Sequence, residues 1–456
     1  MEKIANINDI LNAFAWGPVM LLLFVGTGVF LSFKTGFVQL RHFRDMLKDT
    51  VGSLFHKDSG GDNNLSPFQA MTTALAGTIG TGNIAGVTAA MFTGGPGAVF
   101  WMWVSSFFGM CTKYAEIVLA VKFRRTDADG RNRGGPMYYI EQGLGRRWRW
   151  LSIIFAFFGL LASFGIGNMA QTSEIAGAMS ELFHVDKHIT GLAVAVVVGL
   201  IIIGGVKRIG TVTGLIVPLM SLFFMLLGLY ILIVNIQRIP AMLWYIFKSA
   251  FSPAAFSGGM LGYGMMQAMR EGVARGVFSN EAGLGSSPIV HAASSAAEPC
   301  KEALWGIFEV FMDTIVICSI TAFTVLLSGI LETPGGLSAF TSRSAAACAA
   351  LNTVLHSSIG SKIIHFSIIF FAISSMVSWA YYGESCCSYL TNDSSFAALA
   401  YKLSFALACY AGAVGSGGLV WGISDTLNGF MAVPNLIALL LLSDKVAKLT
   451  KEYFKT

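Results

Sequence analysis

The chain has 456 residues, 54% of them apolar and only 12% charged, with a mean hydropathy of +0.66. A water-soluble domain carries roughly a quarter charged residues, so a water-soluble core is excluded. The formal net charge of +5 sits between apolar segments instead of along one face, which marks membrane topology and leaves no footprint for nucleic acid.

The N-terminus, Met1 to Pro18, has no basic start before an apolar core and no small-residue cleavage site, so it does not read as a removable signal. Hydropathy and Gly/Pro breaks then predict about eleven membrane-crossing helices, numbered here as spans 1 to 11: 16–33, 68–93, 97–122, 150–183, 189–205, 211–234, 260–295, 303–330, 361–390, 395–413 and 417–442. The loop after span 1 carries Lys34, Arg41, Arg44, Lys48 and Lys57, and the loop after span 3 carries Arg124, Arg125, Arg131, Arg133, Arg146, Arg147 and Arg149. Lys207, Arg208, Lys301 and the tail with Lys445, Lys448, Lys451 and Lys455 fall on the same side. Short cytoplasmic loops hold the excess of Lys and Arg, so this side is expected in the cytoplasm, with the N-terminus outside and the C-terminus inside. Arg238, Lys248 and Arg343 fall on the outer side, the first two beside or within a stretch, 240–257, that can lie along the membrane surface.

Spans 2 and 7 are the wrong shape for plain helices. Span 2 contains Ala76-Gly77-Thr78-Ile79-Gly80-Thr81-Gly82-Asn83, and span 7 contains Gly276-Val277-Phe278-Ser279-Asn280-Glu281-Ala282-Gly283-Leu284-Gly285-Ser286-Ser287. Each glycine weakens a helix by about 1 kcal/mol, and the intervening Thr, Ser and Asn can bind freed backbone groups. Both spans are expected to unwind in mid-membrane. They lie five spans apart and enter from opposite sides, the arrangement of an inverted repeat with its binding site between the breaks. Close packing of small residues is the alternative use of such glycines.

Amides opening the outer half of span 2, near Thr81, Gly82 and Asn83, can receive a carboxylate, and carbonyls near Val277 and Phe278 can receive an ammonium group. A zwitterion of amino-acid size fits both. Gly80 to Ala85 also matches the G-x-G-x-x-G/A dinucleotide pattern, which means nothing inside an apolar span with no βαβ unit.

In span 9, Ser374 and Ser375 can offer hydroxyls to a hard cation completed by freed carbonyls of span 2, such as those of Ala76 and Ile79, or can bond back to their own helix. Trp379, one turn beyond, either walls a small pocket or packs against lipid or neighbouring helices. Gln171 in span 4 is a candidate substrate contact or an inter-helix bond. Arg270, Glu271, Arg275 and Glu281 read as a gate or structural network, and Glu116 and Asp313 are further carboxylates that can move a proton or pair with a neighbour. The seven cysteines lack zinc-site spacing and read as small packing residues.

The strings Gly77 to Val87, Gly95-Pro96-Gly97-Ala98-Val99-Phe100-Trp101-Met102-Trp103, Gly134-Gly135-Pro136-Met137-Tyr138-Tyr139-Ile140, Arg275 to Gly283 and Trp379-Ala380-Tyr381-Tyr382-Gly383-Glu384 recur in order over most of the chain. Together they resemble the alanine or glycine:cation symporter family. The resemblance implies an all-α transmembrane protein of the leucine-transporter type: two inverted five-helix repeats, at 68–234 and 260–442, with one extra peripheral helix, 16–33, in front. It implies symport of a small neutral amino acid, alanine or glycine, with sodium or a proton, in the plasma (inner) membrane, and neither enzymatic activity nor a catalytic cofactor. Thr78, Gly80, Thr81, Gly82, Asn83, Gln171, Phe278, Ser279, Asn280 and Trp379 would line the substrate pocket, and Ala76, Ile79, Ser374 and Ser375 the sodium site. Serine stands at 375 where the family usually has threonine, and at 378 where it has glycine, a change expected to alter pocket size. An amino-acid or ion channel without cation coupling is the rival from another class.

Overall fold

Apolar runs of bilayer length form helices with few breaks. The computed structural model describes residues 2–52, 63–127, 130–251, 263–415 and 417–455. Among the described residues, eight helices are long and apolar enough to cross a membrane, and a ninth span is the bent pair Pro67–Thr78 and Thr81–Gly94. The 17-residue apolar helix Lys187–Ile203 stands at the place of span 5, and the helices Tyr263–Asn280 and Ser287–Ala292 stand at the place of span 7. Lys57 and the first residues of span 7, 260–262, lie outside the described residues. Span 3, Gly97–Lys122, is central, with 78% of its apolar window buried, whereas span 6, Gly205–Val234, has only 33% buried. Leu215, Leu219, Leu222, Leu226 and Leu229 of span 6 are exposed, an apolar surface suited to lipid.

The helix Glu2–Ala15, ahead of span 1 (Pro18–Lys34), has no counterpart among the expected elements. Its apolar residues Ile7, Ile10, Leu11 and Phe14 recur at helical spacing and are exposed, so it has one apolar face and no continuous apolar run. Its polar face ties to span 11: Asn12 Nδ2 donates to Thr426 Oγ1 at 3.2 Å, and Thr426 Oγ1 donates to Asn8 Oδ1 at 2.9 Å. Of the stretch expected along the surface, residues 252–257 lie outside the described residues and the earlier part forms a helix, Ile239–Ala250, with Leu243, Trp244 and Phe247 exposed.

Span 2 starts on a capping box, in which Gln69 N–H donates to Ser66 Oγ and Ser66 N–H to Gln69 Oε1, with Pro67 in the first turn. It opens at Ile79 and Gly80, makes one tight turn over Thr81–Asn83 and resumes as Ala85–Gly94, bent by 55°.

The span 7 break lies further along than the sequence suggests. The helix runs unbroken to Asn280, with Glu281 N–H donating to Val277 O at 2.8 Å, and opens over 281–286. The Val277 carbonyl is therefore spent inside the helix. Gly276 serves packing: a Cβ there would lie 2.2 Å from Ser105 Oγ of span 3. The turn itself needs left-handed backbone at Glu281, Gly283 and Gly285, with φ of 56°, 92° and 83°.

Spans 4 and 8 each contain a π-helical turn, Gly165–Met169 and Phe311–Cys318. Such turns widen a helix locally and recur at functional sites.

Candidate functional site

Asn83 organises the centre of the bundle. Its Oδ1 accepts the Gly80 N–H at 2.8 Å and closes the span 2 turn, while its Nδ2 donates to Ser279 Oγ of span 7 at 2.9 Å and to Asp313 Oδ1 of span 8 at 2.6 Å. One side chain thus joins both interrupted spans to the π turn of span 8. The Asn83 N–H itself bonds Gly80 O at 3.2 Å, so it is not free to receive a carboxylate as expected. Among the described residues, the amides of Thr81 and Gly82 make no hydrogen bond.

Gln171, just after the π turn of span 4, faces the same turn: Thr81 Oγ1 donates to its Oε1 at 3.2 Å, and its Nε2 donates to Ile166 O at 3.1 Å. Phe278 stands against Gly82, where an added Cβ would lie 3.4 Å from its ring, and carries Arg275 over its face at 5.1 Å. Thr78 donates to Leu75 O in its own helix at 3.1 Å. Asn280 turns its side chain toward span 8, with Nδ2 donating to Thr314 Oγ1 at 3.1 Å, and accepts Ala282 N–H at 3.0 Å.

The Ser375 hydroxyl lies 2.9 Å from Ala76 O and 3.5 Å from Ile79 O, donating into the freed carbonyls of span 2. Three of the four expected cation-site residues therefore meet at one point. Ser374 donates instead to Phe371 O of its own helix at 2.9 Å. Ser378 bonds Thr73 O at 2.6 Å, so its side chain pins span 9 to the helical part of span 2 rather than entering the turn.

Trp379 lies one turn beyond Ser375 in span 9, buried between span 4 and the span 7 break. A Cβ on Gly167 would lie 2.2 Å from the Trp379 Cβ, so the backbone of span 4 packs directly on the tryptophan. The indole Nε1 donates to Glu281 Oε1 at 3.1 Å, linking span 9 to the span 7 break. Gly167→Val is expected to destabilise the protein by about 1–3 kcal/mol through overpacking and to shift Trp379, with a lower thermal-unfolding midpoint and reduced uptake as the measurements.

The expected network of four charges divides. Arg270, Glu271 and Arg275 line a cavity of about 120 Å³ with Phe278 and Asp425, and Glu271 accepts from Gln267 Nε2 at 3.3 Å. Glu281 is buried on the opposite side, accepting from Trp379 and from Ser286 Oγ. Away from the basic loops, a cavity of about 930 Å³ is lined by Glu174, Arg343, Trp421 and Asp425. At the basic end a smaller one, about 350 Å³, is lined by Arg133, Lys207, Tyr381 and Lys402. The larger of these two cavities lies away from the basic loops.

Two buried charges, Lys113 and Glu309, escaped the sequence argument, and Glu116, one of the further carboxylates, pairs with its neighbours. Lys113 Nζ donates to Asn280 O at 2.7 Å, capping the end of the first half of span 7, and lies 3.6 Å from Glu309 Oε2. Glu116 receives the Gly283 N–H at 3.1 Å and Asn435 Nδ2, holding the break itself. Lys113 and Glu309 inside apolar helices were the available signal, because a charge within a span needs a partner or a task.

A helical membrane bundle with two interrupted spans joined at a shared polar site has the construction of a secondary membrane transporter. The chain belongs to the sodium:alanine symporter family, whose pattern it matches over residues 1–456. The sodium/alanine symporter AgcS of Methanococcus maripaludis is 46% identical over 455 residues, spanning 99% of this chain and 98% of that protein. The putative sodium/proton-dependent alanine carrier protein YrbD of Bacillus subtilis is 36% identical over 453 residues, spanning 97% of this chain and 91% of its own. A crystal structure of a manganese transporter mutant from Eremococcus coleocola shares the fold, with a TM-score of 0.57 at 12% identity over 87% of this chain and 85% of that one.

Proposed function

We propose that the protein couples inward movement of sodium to uptake of alanine or glycine. The observation that carries this is the convergence of Thr81, Gly82, Gln171 and Phe278 at the span 2 break, beside freed carbonyls of Ala76 and Ile79 that Ser375 already addresses. In this reading the Thr81 and Gly82 amides, at the positive end of the following half-helix, receive the substrate carboxylate. Gln171, Ser279 and the backbone of the Gly80 turn supply polar contacts, and Phe278 and Trp379 supply apolar walls. Thr78 and Asn280 support the two breaks from behind. Sodium sits among Ala76 O, Ile79 O and the hydroxyl of Ser375, with Ser374 reached by rotation about χ1. The close walls at Gly82 and Gly167 favour a small side chain, and the AgcS relative is named for sodium and alanine.

The spans divide into inverted repeats at 68–234 and 260–442 behind a peripheral helix, 16–33. The basic loops lie in the cytoplasm and the N-terminus lies outside, which puts the larger cavity on the outer side. Sodium bound at the span 2 carbonyls stiffens the turn that receives the carboxylate, so each ligand raises the affinity for the other by the same factor. Uptake of labelled alanine into liposomes under imposed sodium or proton gradients tests this: concentrative uptake that follows sodium is expected. Uptake that follows only the proton gradient reassigns the coupling ion, and uptake indifferent to every cation gradient overturns symport in favour of a facilitator.

A further inference from the structure

Beyond the span 7 break, the half-helix Ser287–Ala292 carries His291 into a second buried polar cluster. The ring lies between two carboxyl groups: Nδ1 is 2.8 Å from Glu302 Oε1 and Nε2 is 2.6 Å from Glu309 Oε1. A neutral imidazole has one N–H and one lone pair, and an ionised carboxylate only accepts. A neutral ring between two carboxylates would therefore press one nitrogen lone pair against an oxygen. Both contacts become hydrogen bonds when the trio holds one proton more than a neutral histidine and two carboxylates supply.

The surroundings favour that extra proton. His291 and Glu309 are 0% exposed and Glu302 is 1% exposed. Lys113 Nζ stands 3.6 Å from Glu309 Oε2, and Ser287 Oγ donates to the same oxygen at 3.1 Å. Glu116 from span 3, Glu281 from the break and Asp313 from span 8 are buried nearby, with the Tyr382 hydroxyl of span 9. Lys113, with Arg124 acting on Glu302 from the basic end, is still a poor match for five buried carboxyl groups, and unneutralised charge is costly in hydrocarbon. Among the described residues, Glu302 Oε2 is buried with no hydrogen-bond partner. At the basic end, Arg124 Nη1 and Asn132 Nδ2 both donate to Ser294 O, at 3.0 and 2.9 Å, one turn from His291, and Asn132 lines the cavity of about 350 Å³ there.

We propose that His291, Glu302 and Glu309 form a proton-binding site: a doubly protonated imidazole ring clamps the second half of span 7 to span 8, and loss of that proton to solvent at the basic end frees this half-helix to move. The site lies apart from the substrate and sodium positions. It requires only that the protein carries substrate, so it can be separated from the choice of coupling ion.

Glu302→Gln is the test variant, because its amide permanently donates to one ring nitrogen and lets a neutral ring satisfy both neighbours with no extra proton. In histidine-labelled full-length protein at about pH 8, where ordinary histidines are neutral, NMR is expected to show one doubly protonated ring in the wild type and none in Glu302→Gln. Exchange of labelled alanine across liposomes, with sodium and pH equal on both sides, is expected to rise about fivefold or more between about pH 6 and about pH 9. In Glu302→Gln the rise should be lost. Glu309→Gln, isosteric on the other side of the ring, provides the same two readouts if Glu302→Gln does not accumulate as folded protein. A wild type with no protonated ring at about pH 8, or a variant that keeps both the ring signal and the pH profile, overturns the proposal. Loss of exchange at every pH with the ring signal intact counts against the substrate assignment instead.

Discussion

Asn83→Ala is expected to abolish alanine uptake, by at least about a hundredfold, while the double variant Asn83→Asp with Asp313→Asn recovers a measurable fraction. The alanine leaves the Gly80 N–H, the Ser279 hydroxyl and one oxygen of a fully buried Asp313 without their partner. Each orphaned group costs about 1–3 kcal/mol, and two such losses at the site already correspond to about a hundredfold in an equilibrium. The exchanged pair can rebuild the pattern: an aspartate at 83 accepts from Gly80 N–H and Ser279, and an asparagine at 313 donates back to it. Recovery would tie the loss to this hydrogen-bonded junction. Initial uptake rates, normalised to protein that elutes as a single folded species in size-exclusion chromatography, provide the check, and equal loss in single and double variants would refute the junction.

Ser375→Ala carries the second large effect. The Ser375 hydroxyl meets the carbonyls of Ala76 and Ile79 at 2.9 and 3.5 Å, where oxygen atoms from spans 2 and 9 would share a sodium ion. Removing one oxygen from a bound charge costs about 1.5–3 kcal/mol, a rise of about ten- to a hundredfold in the sodium concentration needed for half-maximal uptake. Ser375→Thr keeps the oxygen and should stay within about threefold of the wild type, well under the 1.4 kcal/mol of a tenfold change. Sodium titration of uptake at fixed alanine distinguishes them. An alanine variant with unchanged sodium dependence would place the ion elsewhere.

What the sequence made legible follows from the range of the forces involved. The span 2 break could be read because its cause is local: Gly80 and Gly82 weaken the helix, and Asn83 beside them ties the loose turn together. The span 7 break falls within the expected string but only in its second half, because glycine has two uses that look alike in one dimension. Gly276 lets span 3 approach and leaves the helix intact, whereas Gly283 and Gly285 adopt left-handed backbone and end it. The N-terminal helix was missed because amphipathic periodicity, not length, marks it. The π turns of spans 4 and 8 leave no pattern in composition, although they lie beside Gln171 and hold Asp313. The His291 cluster needs three elements folded together before its spacing means anything, and only the presence of charges in apolar runs hinted at it.

The most direct test is a cryo-electron microscopy map of the full-length protein with saturating alanine and sodium. Density of amino-acid size against the Thr81 and Gly82 amides, with a separate ion peak between Ser375 and the carbonyls of Ala76 and Ile79, is the expected result. Spans 2 and 7 running as unbroken helices, or substrate density confined to the cavity of about 930 Å³ with the Gly80 turn empty, would contradict it.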